Sequence, residues 1–389
     1  MSEHFNFDTP VERSGTDSEK WAKYTGRDIL PLWVADMDFA APPAIIDALQ
    51  SRIAHGVFGY NQPTLSQTQA VVDYLARQFD YTIDPSWIVW LPGLVSGLNI
   101  ACRAAGAASD AAFTATPIYP PFLSAPKNAG RPLVTVPLVQ EKNRWVWDFD
   151  AVDAALKKTK TKLFLLCHPH NPTGRAWEKN ELQQIAQLAK KHDLIICSDE
   201  IHNGLILSPH ISPYHQHRLF ASLDEDIAQR TITLMAPSKT FNIPGLGAAF
   251  ALIANPQLKK QFTAAMAGIV PHTNLLGMAA LEAAFTQCDA WHAALLDYLR
   301  NNAQRVERAI ANIPGLAMHP VKATYLAWID ARELAQQRGI TNPAKYFENH
   351  GLGLSDGAAF GAPGFVRLNF GTQQTILEEA LRRLHAACI

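Results

Sequence analysis

Three short polar motifs in the middle of the chain carry the side chains best suited to covalent and acid–base chemistry. They are residues 171–174 (Asn-Pro-Thr-Gly), 198–202 (Ser-Asp-Glu-Ile-His) and 238–242 (Ser-Lys-Thr-Phe-Asn). Each lies where an apolar, strand-like run ends, and open α/β sheets bind ligands at that edge. Taken singly, the motifs could be an ordinary turn, a helix start and a solvated lysine. Their order predicts an amide, a carboxylate and an amine around one ligand.

The amine and the carboxylate match the needs of a pyridoxal cofactor. This cofactor requires a lysine that bonds to its aldehyde carbon. It also requires an acid that keeps its ring nitrogen protonated, so that the ring accepts electrons from a substrate carbanion. Lys239 and Asp199 fit these two roles, and the side-chain amide of Asn171 could donate to the ring hydroxyl. Apolar residues flank Lys239, so we expect burial to lower its pKa and to assist the bond.

A glycine-containing turn predicts the position of the cofactor phosphate. Residues 92–97 (Pro-Gly-Leu-Val-Ser-Gly) stand between a strand-like run and a helical pattern. Backbone N–H groups at the start of a helix bind phosphate well. We therefore expect Gly93, Leu94 and Val95 to form the phosphate site, although a plain strand–helix connection would look the same.

The sequence around these motifs alternates between strand-like and helical patterns. Apolar positions at residues 182, 185, 186 and 189 predict an amphipathic helix between two of the strands. This alternation favours an α/β fold, with a mostly parallel seven-stranded sheet and helices on both faces. The predicted strands are residues 88–91, 112–115, 133–136, 163–167, 194–198, 231–235 and 248–253.

The pattern changes after a long helix at residues 291–313, which Pro314 and Gly315 should end. We expect three regions: an N-terminal segment (1–50) that packs with the small domain, a large cofactor-binding domain (51–288) and a small α+β domain (289–389). The predicted elements outside the large sheet are helices at residues 43–53, 343–349 and 375–387, and strands at 324–329 and 364–370.

Composition excludes several classes of function. The formal net charge is −1 and no Lys/Arg run is longer than a pair, so a nucleic-acid partner is not expected. No apolar run approaches the ~20 residues that span a bilayer, and the polar start does not resemble a secretory signal. The five cysteines form no CxxC pair, and His168 and His170 lack further ligands at suitable spacing, so no metal is expected. We expect a cytoplasmic enzyme with a small-molecule substrate.

Further segments make the chain resemble the aminotransferase class I/II enzymes of fold type I, and among them the MalY/PatB group of carbon–sulfur β-lyases. The resemblance covers nearly the whole chain, and the subgroup depends chiefly on residues 33–39 and 355–357. It implies a pyridoxal 5'-phosphate enzyme with a large and a small domain. The segments are residues 32–39, 116–122, 324–328, 354–357 and 364–369.

The resemblance also assigns roles on the substrate side of the site. Tyr119 would stack on the cofactor ring, although core packing beside a proline is the alternative. Arg367 would bind the substrate α-carboxylate with its planar fork, assisted by the Ala35 N–H group. An arginine in an apolar strand needs such a partner, and a structural ion pair is the alternative. Asn242 or Tyr325 would line the same pocket.

On the cofactor side, the resemblance implies that Tyr60 reaches the cofactor phosphate of a neighbouring subunit in a homodimer. A surface turn is the alternative for this residue. His202 occupies the position where many relatives have a tyrosine near the ring hydroxyl, and an ordinary histidine at a helix start is the alternative. Two positions depart from the family pattern: Ala236 replaces a phosphate-binding Ser or Thr, and Gly247 replaces an arginine on the phosphate. Ser238 is the candidate to compensate.

The reaction that the resemblance implies is α,β-elimination. A cystathionine β-lyase-like enzyme would act on L-cystathionine or other S-substituted L-cysteines and release a thiol, pyruvate and ammonia. Transamination uses the same lysine, so an aminotransferase of amino acids remains an alternative. A pyridoxal-phosphate-binding regulatory protein that acts through a transcription factor is a third possibility.

Overall fold

A seven-stranded sheet forms the centre of the computed structural model, which describes residues 5–208 and 217–389. Numbered along the chain, its strands lie side by side in the order first, seventh, sixth, fifth, fourth, second and third. Only the seventh runs antiparallel to its neighbours. The sequence predictions of all seven strands are confirmed. They span Ile88–Leu91, Ala111–Thr116, Leu133–Pro137, Thr161–Cys167, Ile195–Asp199, Thr231–Met235 and Ala249–Leu252.

Helices cover both faces of this sheet because its strands are apolar on both sides. All five residues of Thr231–Met235 are buried, as parallel strands between two helical layers require. The amphipathic helix Lys179–Lys191 buries the four apolar positions that its periodicity predicts. The helices of this part of the chain are Leu94–Ala104, Pro120–Asn128, Phe149–Lys158, Lys179–Lys191, Glu225–Gln229, Pro256–Met266 and Leu275–Gln287.

Residues 5–79 contribute three helices and one short strand. Glu19–Ala22 is a single turn, whereas Pro43–Ala54 and Leu65–Phe79 pack against Leu275–Gln287. Thr64 caps the third helix through a reciprocal hydrogen-bond pair with Gln67. The strand Leu30–Pro31 pairs in parallel with Leu352–Gly353.

A four-stranded antiparallel sheet follows the long helix Asp289–Ala311. The predicted strands at residues 324–329 and 364–370 are confirmed as Leu326–Asp330 and Phe365–Asn369, which pair with each other. The outer strands of this sheet are Ala317–Met318 and Ser355–Asp356. The helices that accompany it are Arg332–Arg338, Pro343–Asn349 and Gln374–Cys388. Earlier in the chain, the strands Val139–Glu141 and Arg144–Val146 form a separate hairpin. In the described ranges, none of the helices is long and apolar enough to cross a membrane.

Candidate active site

The predicted motifs meet at the carboxyl edge of the large sheet. Asp199 is the last residue of its strand, and Asn171 and Lys239 each follow the end of a neighbouring strand by four residues. Gly93 precedes the helix Leu94–Ala104, and Tyr119 precedes the helix Pro120–Asn128. Since parallel strands end at the same edge, these five positions converge in space although they are spread over the chain.

A cavity of about 290 Å³, called here the Asp199 cavity, lies at this edge. Every predicted cofactor-binding residue except Tyr60 lines it. Its walls also include Cys167, Ile201 and Pro244, which the sequence did not single out as site residues. The predicted residues that line it are Gly93, Leu94, Val95, Tyr119, Asn171, Asp199, His202, Ser238 and Lys239.

The lysine and the acid in this cavity both have shifted pKa values. Burial lowers the pKa of Lys239 to about 8, and the nearby Asp36 carboxylate opposes this shift. The Lys239 amine donates to the Ala35 carbonyl at 2.6 Å. Burial raises the pKa of Asp199 to about 7, although the Ile201 N–H group donates to its carboxylate at 3.1 Å. Both groups therefore titrate near neutrality in the cofactor-free chain.

His202 is a neutral side chain on the wall of the same cavity. Burial, together with the charges of Lys239 and Arg367, lowers its pKa to about 3. Its Nδ1 atom has no hydrogen-bond partner within residues 5–208 and 217–389. A buried imidazole without a partner on one nitrogen can accept or donate a hydrogen bond to a ligand.

A second cavity of about 560 Å³, called here the Arg367 cavity, shares Ala35, Tyr119 and Lys239 with the first. Arg367 is only 4% exposed, and burial lowers its pKa to about 10, so its guanidinium group stays charged at neutral pH. It donates to Asn171 Oδ1 at 3.0 Å and to the Trp33 carbonyl at 2.7 Å.

Two residues near Arg367 were not predicted from the sequence as side-chain partners. Ser355 Oγ accepts from Arg367 at 3.2 Å, and the guanidinium carbon lies 4.9 Å from the ring centre of Phe360. The Arg367 Nε atom has no partner in the described part of the chain. The guanidinium group is therefore held in place at the wall of the Arg367 cavity.

The structure does not bring Asn242 to either cavity. Its side-chain amide binds the backbone of residues 37–39, accepting from the Met37 N–H group and donating to the carbonyls of Met37 and Phe39. Every Asn242 side-chain hydrogen bond thus serves to hold this segment. Tyr325 also lines neither cavity, and its hydroxyl donates to the Ala35 carbonyl at 2.8 Å.

Glu200, which follows Asp199 in the second motif, points away from the cavity. Its carboxylate contacts His217 Nε2 at 2.6 Å and accepts from the Ser198 hydroxyl and the Phe220 N–H group. Burial raises the pKa of Glu200 to about 7 and lowers that of His217 to about 3, so the buried pair favours neutral groups. Alternation of side chains along a strand could have indicated that neighbouring acids face opposite sides.

Residue 247 is one of the two positions that depart from the family pattern near the phosphate site, and its backbone gives a steric reason for glycine. Gly247 has φ of +59°, and a Cβ atom there would lie 3.3 Å from the Pro92 carbonyl oxygen. An arginine would be strained in this backbone conformation. Ala236 is buried, whereas Ser238 lines the Asp199 cavity. Tyr60 is fully exposed in the single chain and lines neither cavity.

Comparisons with known proteins agree with this geometry. Cystathionine beta-lyase PatB from Bacillus subtilis (strain 168) is 34% identical to the chain, with coverage of 98% of this chain and 99% of PatB. The crystal structure of OvoB superposes with a TM-score of 0.94 at 46% identity, covering 99% of both chains.

Cystalysin from Treponema denticola, whose crystal structure contains pyridoxal 5'-phosphate, superposes with a TM-score of 0.91 at 31% identity over 99% of both chains. The family model for aminotransferase class I and II matches residues 27–384. The chain therefore belongs to the aminotransferase class I and II family.

Proposed function

We propose that this protein is a pyridoxal-phosphate-dependent carbon–sulfur β-lyase that acts on S-substituted L-cysteines such as L-cystathionine. The observation that carries the proposal is the convergence of Lys239, Asp199 and Arg367 on two cavities that share Lys239 and Tyr119. One cavity offers an amine and an acid for a cofactor, and the other offers a guanidinium group for an amino-acid carboxylate.

The residues of the Asp199 cavity fit the parts of pyridoxal phosphate. The N–H groups of Leu94 and Val95 at the start of a helix, with the Ser238 hydroxyl, would hold the phosphate. Asp199 would pair with the ring nitrogen. Since Asn171 Oδ1 is occupied by Arg367, its Nδ2 group is left to donate to the ring hydroxyl.

Two more residues complete this fit. His202 lines the same cavity and would contact the ring hydroxyl as well. The ring of Tyr119 would cover one face of the cofactor. A neutral histidine suits this position because it adds no charge beside Asp199.

The chemistry that the cofactor supplies when bound is an electron-accepting ring next to the substrate α-carbon. Arg367 binds the α-carboxylate with charge-assisted hydrogen bonds and so fixes the substrate against Lys239. After the substrate amino group has replaced it on the cofactor, the neutral Lys239 amine would take the α-proton. The electron pair of that C–H bond forms the Cα–Cβ double bond while the C–S pair leaves with the thiolate. Water then releases pyruvate and ammonia from the three-carbon remainder.

The relatives support the choice of β-elimination. PatB, named a cystathionine beta-lyase, aligns with this chain over nearly its full length. The Lys239 amine reaches the Ala35 carbonyl between the two cavities, and this position suits a base that acts on a substrate held by Arg367.

The test of the reaction uses L-cystathionine with and without added keto acid. We expect equal amounts of thiol, pyruvate and ammonia in both tubes, and none from the Lys239→Ala variant. Product that forms only when keto acid is present would contradict the β-lyase proposal and favour an aminotransferase.

We also propose that the active enzyme is a homodimer in which Tyr60 completes the partner's phosphate site. Tyr60 stands in a run of exposed apolar residues that includes Val57, Phe58 and Leu65, with exposed fractions of 61%, 57% and 91%. Such a patch is unusual on a monomer and suits a second copy of the chain.

Hybrid dimers test this arrangement. Tyr60→Ala and Lys239→Ala are each expected to lower activity severely when alone. After denaturation together and refolding, mixed dimers would carry one site with both native residues, so we expect part of the activity to return. No return of activity, with mixed dimers demonstrated by mass, would contradict a shared site.

A further inference from the structure

Residues 33–39 have no regular secondary structure, yet they provide an acceptor to the reactive lysine. The Ala35 carbonyl accepts hydrogen bonds from the Lys239 amine at 2.6 Å and from the Tyr325 hydroxyl at 2.8 Å. No helix or strand ladder fixes this carbonyl. Its position therefore depends on side chains that bind the segment from outside.

Four charged side chains, called here the charge cluster, join the segment to the preceding part of the chain: Arg13 and Lys20 from outside, and Asp36 and Asp38 from the segment itself. Arg13 contacts Asp36 and Asp38 at 2.7 Å each. Lys20 contacts Asp38 at 2.7 Å and Asp36 at 3.8 Å. The Lys20 and Asp38 side chains are 0% and 2% exposed, so the centre of the cluster is dry.

Stability alone is a weak explanation for this cluster. Taking charges out of water costs several kcal/mol per ion, and apolar residues of similar volume often stabilise a fold as well or better. The position of Asp36 gives a stronger explanation for the cluster, because Asp36 directly follows Ala35 in the chain. On the other side, Asn369 donates to the carbonyls of Val34 and Asp36 at 2.6 Å each. The contacts of the Asp36 carboxylate on one side and of Asn369 on the other therefore hold the backbone around Ala35.

We propose that Arg13, Lys20 and Asp38 are positioning residues, which hold Asp36 and thereby keep the Ala35 carbonyl against the Lys239 amine. The inference rests on the proposed role of Lys239 as the cofactor lysine. The charged groups that face this amine are Asp36, Asp199 and Arg367. The Ala35 carbonyl and the Asp36 carboxylate both favour a positive charge on the Lys239 nitrogen.

The test compares holoenzymes of wild type, Lys20→Met, Lys20→Arg and the control Lys190→Met. Lys190 forms an exposed pair with Asp224 at 3.0 Å, remote in sequence from the charge cluster. The readout is the pH midpoint of the visible absorbance of the cofactor on Lys239. We expect Lys20→Met to lower this midpoint by about 1 pH unit. We also expect kcat to fall about tenfold or more with a smaller change in KM.

Lys20→Arg and Lys190→Met should keep the wild-type midpoint and kcat. A Lys20→Met enzyme with a lower melting temperature but an unchanged midpoint and unchanged kcat per bound cofactor would overturn the inference. Asp38→Asn provides a second variant with the same expectations in case Lys20→Met does not fold.

Failure of the proposed role of Lys239 as the cofactor lysine would look different, because wild type itself would then show no visible absorbance of a cofactor bound to this residue. In that case the pH dependence of Lys239 methylation by formaldehyde and a reductant, read by mass spectrometry, tests the charge cluster without cofactor. The same variant should begin to react at a lower pH than wild type, and identical profiles would overturn the inference.

Discussion

Arg367 and Asn171 orient each other, and this mutual hold links the two ends of the site. The guanidinium group occupies Asn171 Oδ1 and leaves its Nδ2 group for the cofactor, while two further contacts fix the arginine itself. The contact between Arg367 and Asn171 could not be predicted from the sequence, because 196 positions separate the two residues. The sequence could indicate only that an arginine in an apolar strand needs a partner.

Replacement of Arg367 tests carboxylate recognition. Arg367→Lys keeps the positive charge but removes the planar fork, so we expect kcat/KM for L-cystathionine to fall about 10- to 100-fold, mostly through KM. A substrate analogue without the α-carboxylate serves as control and should react equally slowly with both enzymes. A variant that discriminates against this analogue as strongly as wild type does would show that Arg367 does not bind the carboxylate.

Asp199 should make the cofactor-free protein less stable. Its pKa is 3.8 in an unfolded chain and about 7 in the folded one, so the folded protein keeps a proton that the unfolded chain releases. Stability therefore falls as pH rises from 3.8 to about 7 and stays low above that range. We expect cofactor-free Asp199→Asn to melt at a higher temperature than wild type above pH 7, with the difference shrinking towards pH 4. An equal difference at every pH would contradict the assigned shift.

At the level of elements, the sequence predicted the site because its motifs depend on strand ends. Seven apolar runs and the rule that parallel strands share a carboxyl edge were enough to bring Asn171, Asp199 and Lys239 together. The segment of residues 33–39 was harder, because it has no periodic pattern and its position is set by contacts with residues far along the chain. Asn242 depends on the same segment, because its side-chain amide holds residues 37–39 and lines neither cavity.

Close packing of a helix on the segment after Lys239 gives a prediction at this scale. A Cβ atom at Gly277, in the helix Leu275–Gln287, would clash with the Leu246 carbonyl oxygen. We expect Gly277→Ala to lower the free energy of unfolding by about 1–3 kcal/mol, measured by denaturant titration of the cofactor-free protein. Gly245→Ala is the matched control, since a Cβ atom there meets nothing within 4 Å. Equal stabilities of the two variants would contradict the packing argument.

At the scale of the whole molecule, we propose the division into residues 1–50, 51–288 and 289–389. The pairing of Leu30–Pro31 with Leu352–Gly353 and the start of a long helix at Asp289 support it, whereas the helix Pro43–Ala54 crosses the first boundary and packs on Leu275–Gln287 of the large domain. The site takes Lys239 from the large sheet, Arg367 from the small sheet and Ala35 from the N-terminal segment. This dependence on three regions explains why no single stretch of sequence contains the whole site.

The most direct measurement of the central claim is the absorbance spectrum of purified wild type and Lys239→Ala, each reconstituted with pyridoxal phosphate. L-cystathionine is then added, and thiol and pyruvate are assayed in the same tubes. We expect the wild type to be yellow and to release both thiol and pyruvate. Dialysis should remove its visible absorbance band only after an amine has displaced Lys239 from the cofactor. Lys239→Ala should release neither. A wild type that stays colourless after reconstitution, or a Lys239→Ala variant with wild-type turnover, would contradict the account.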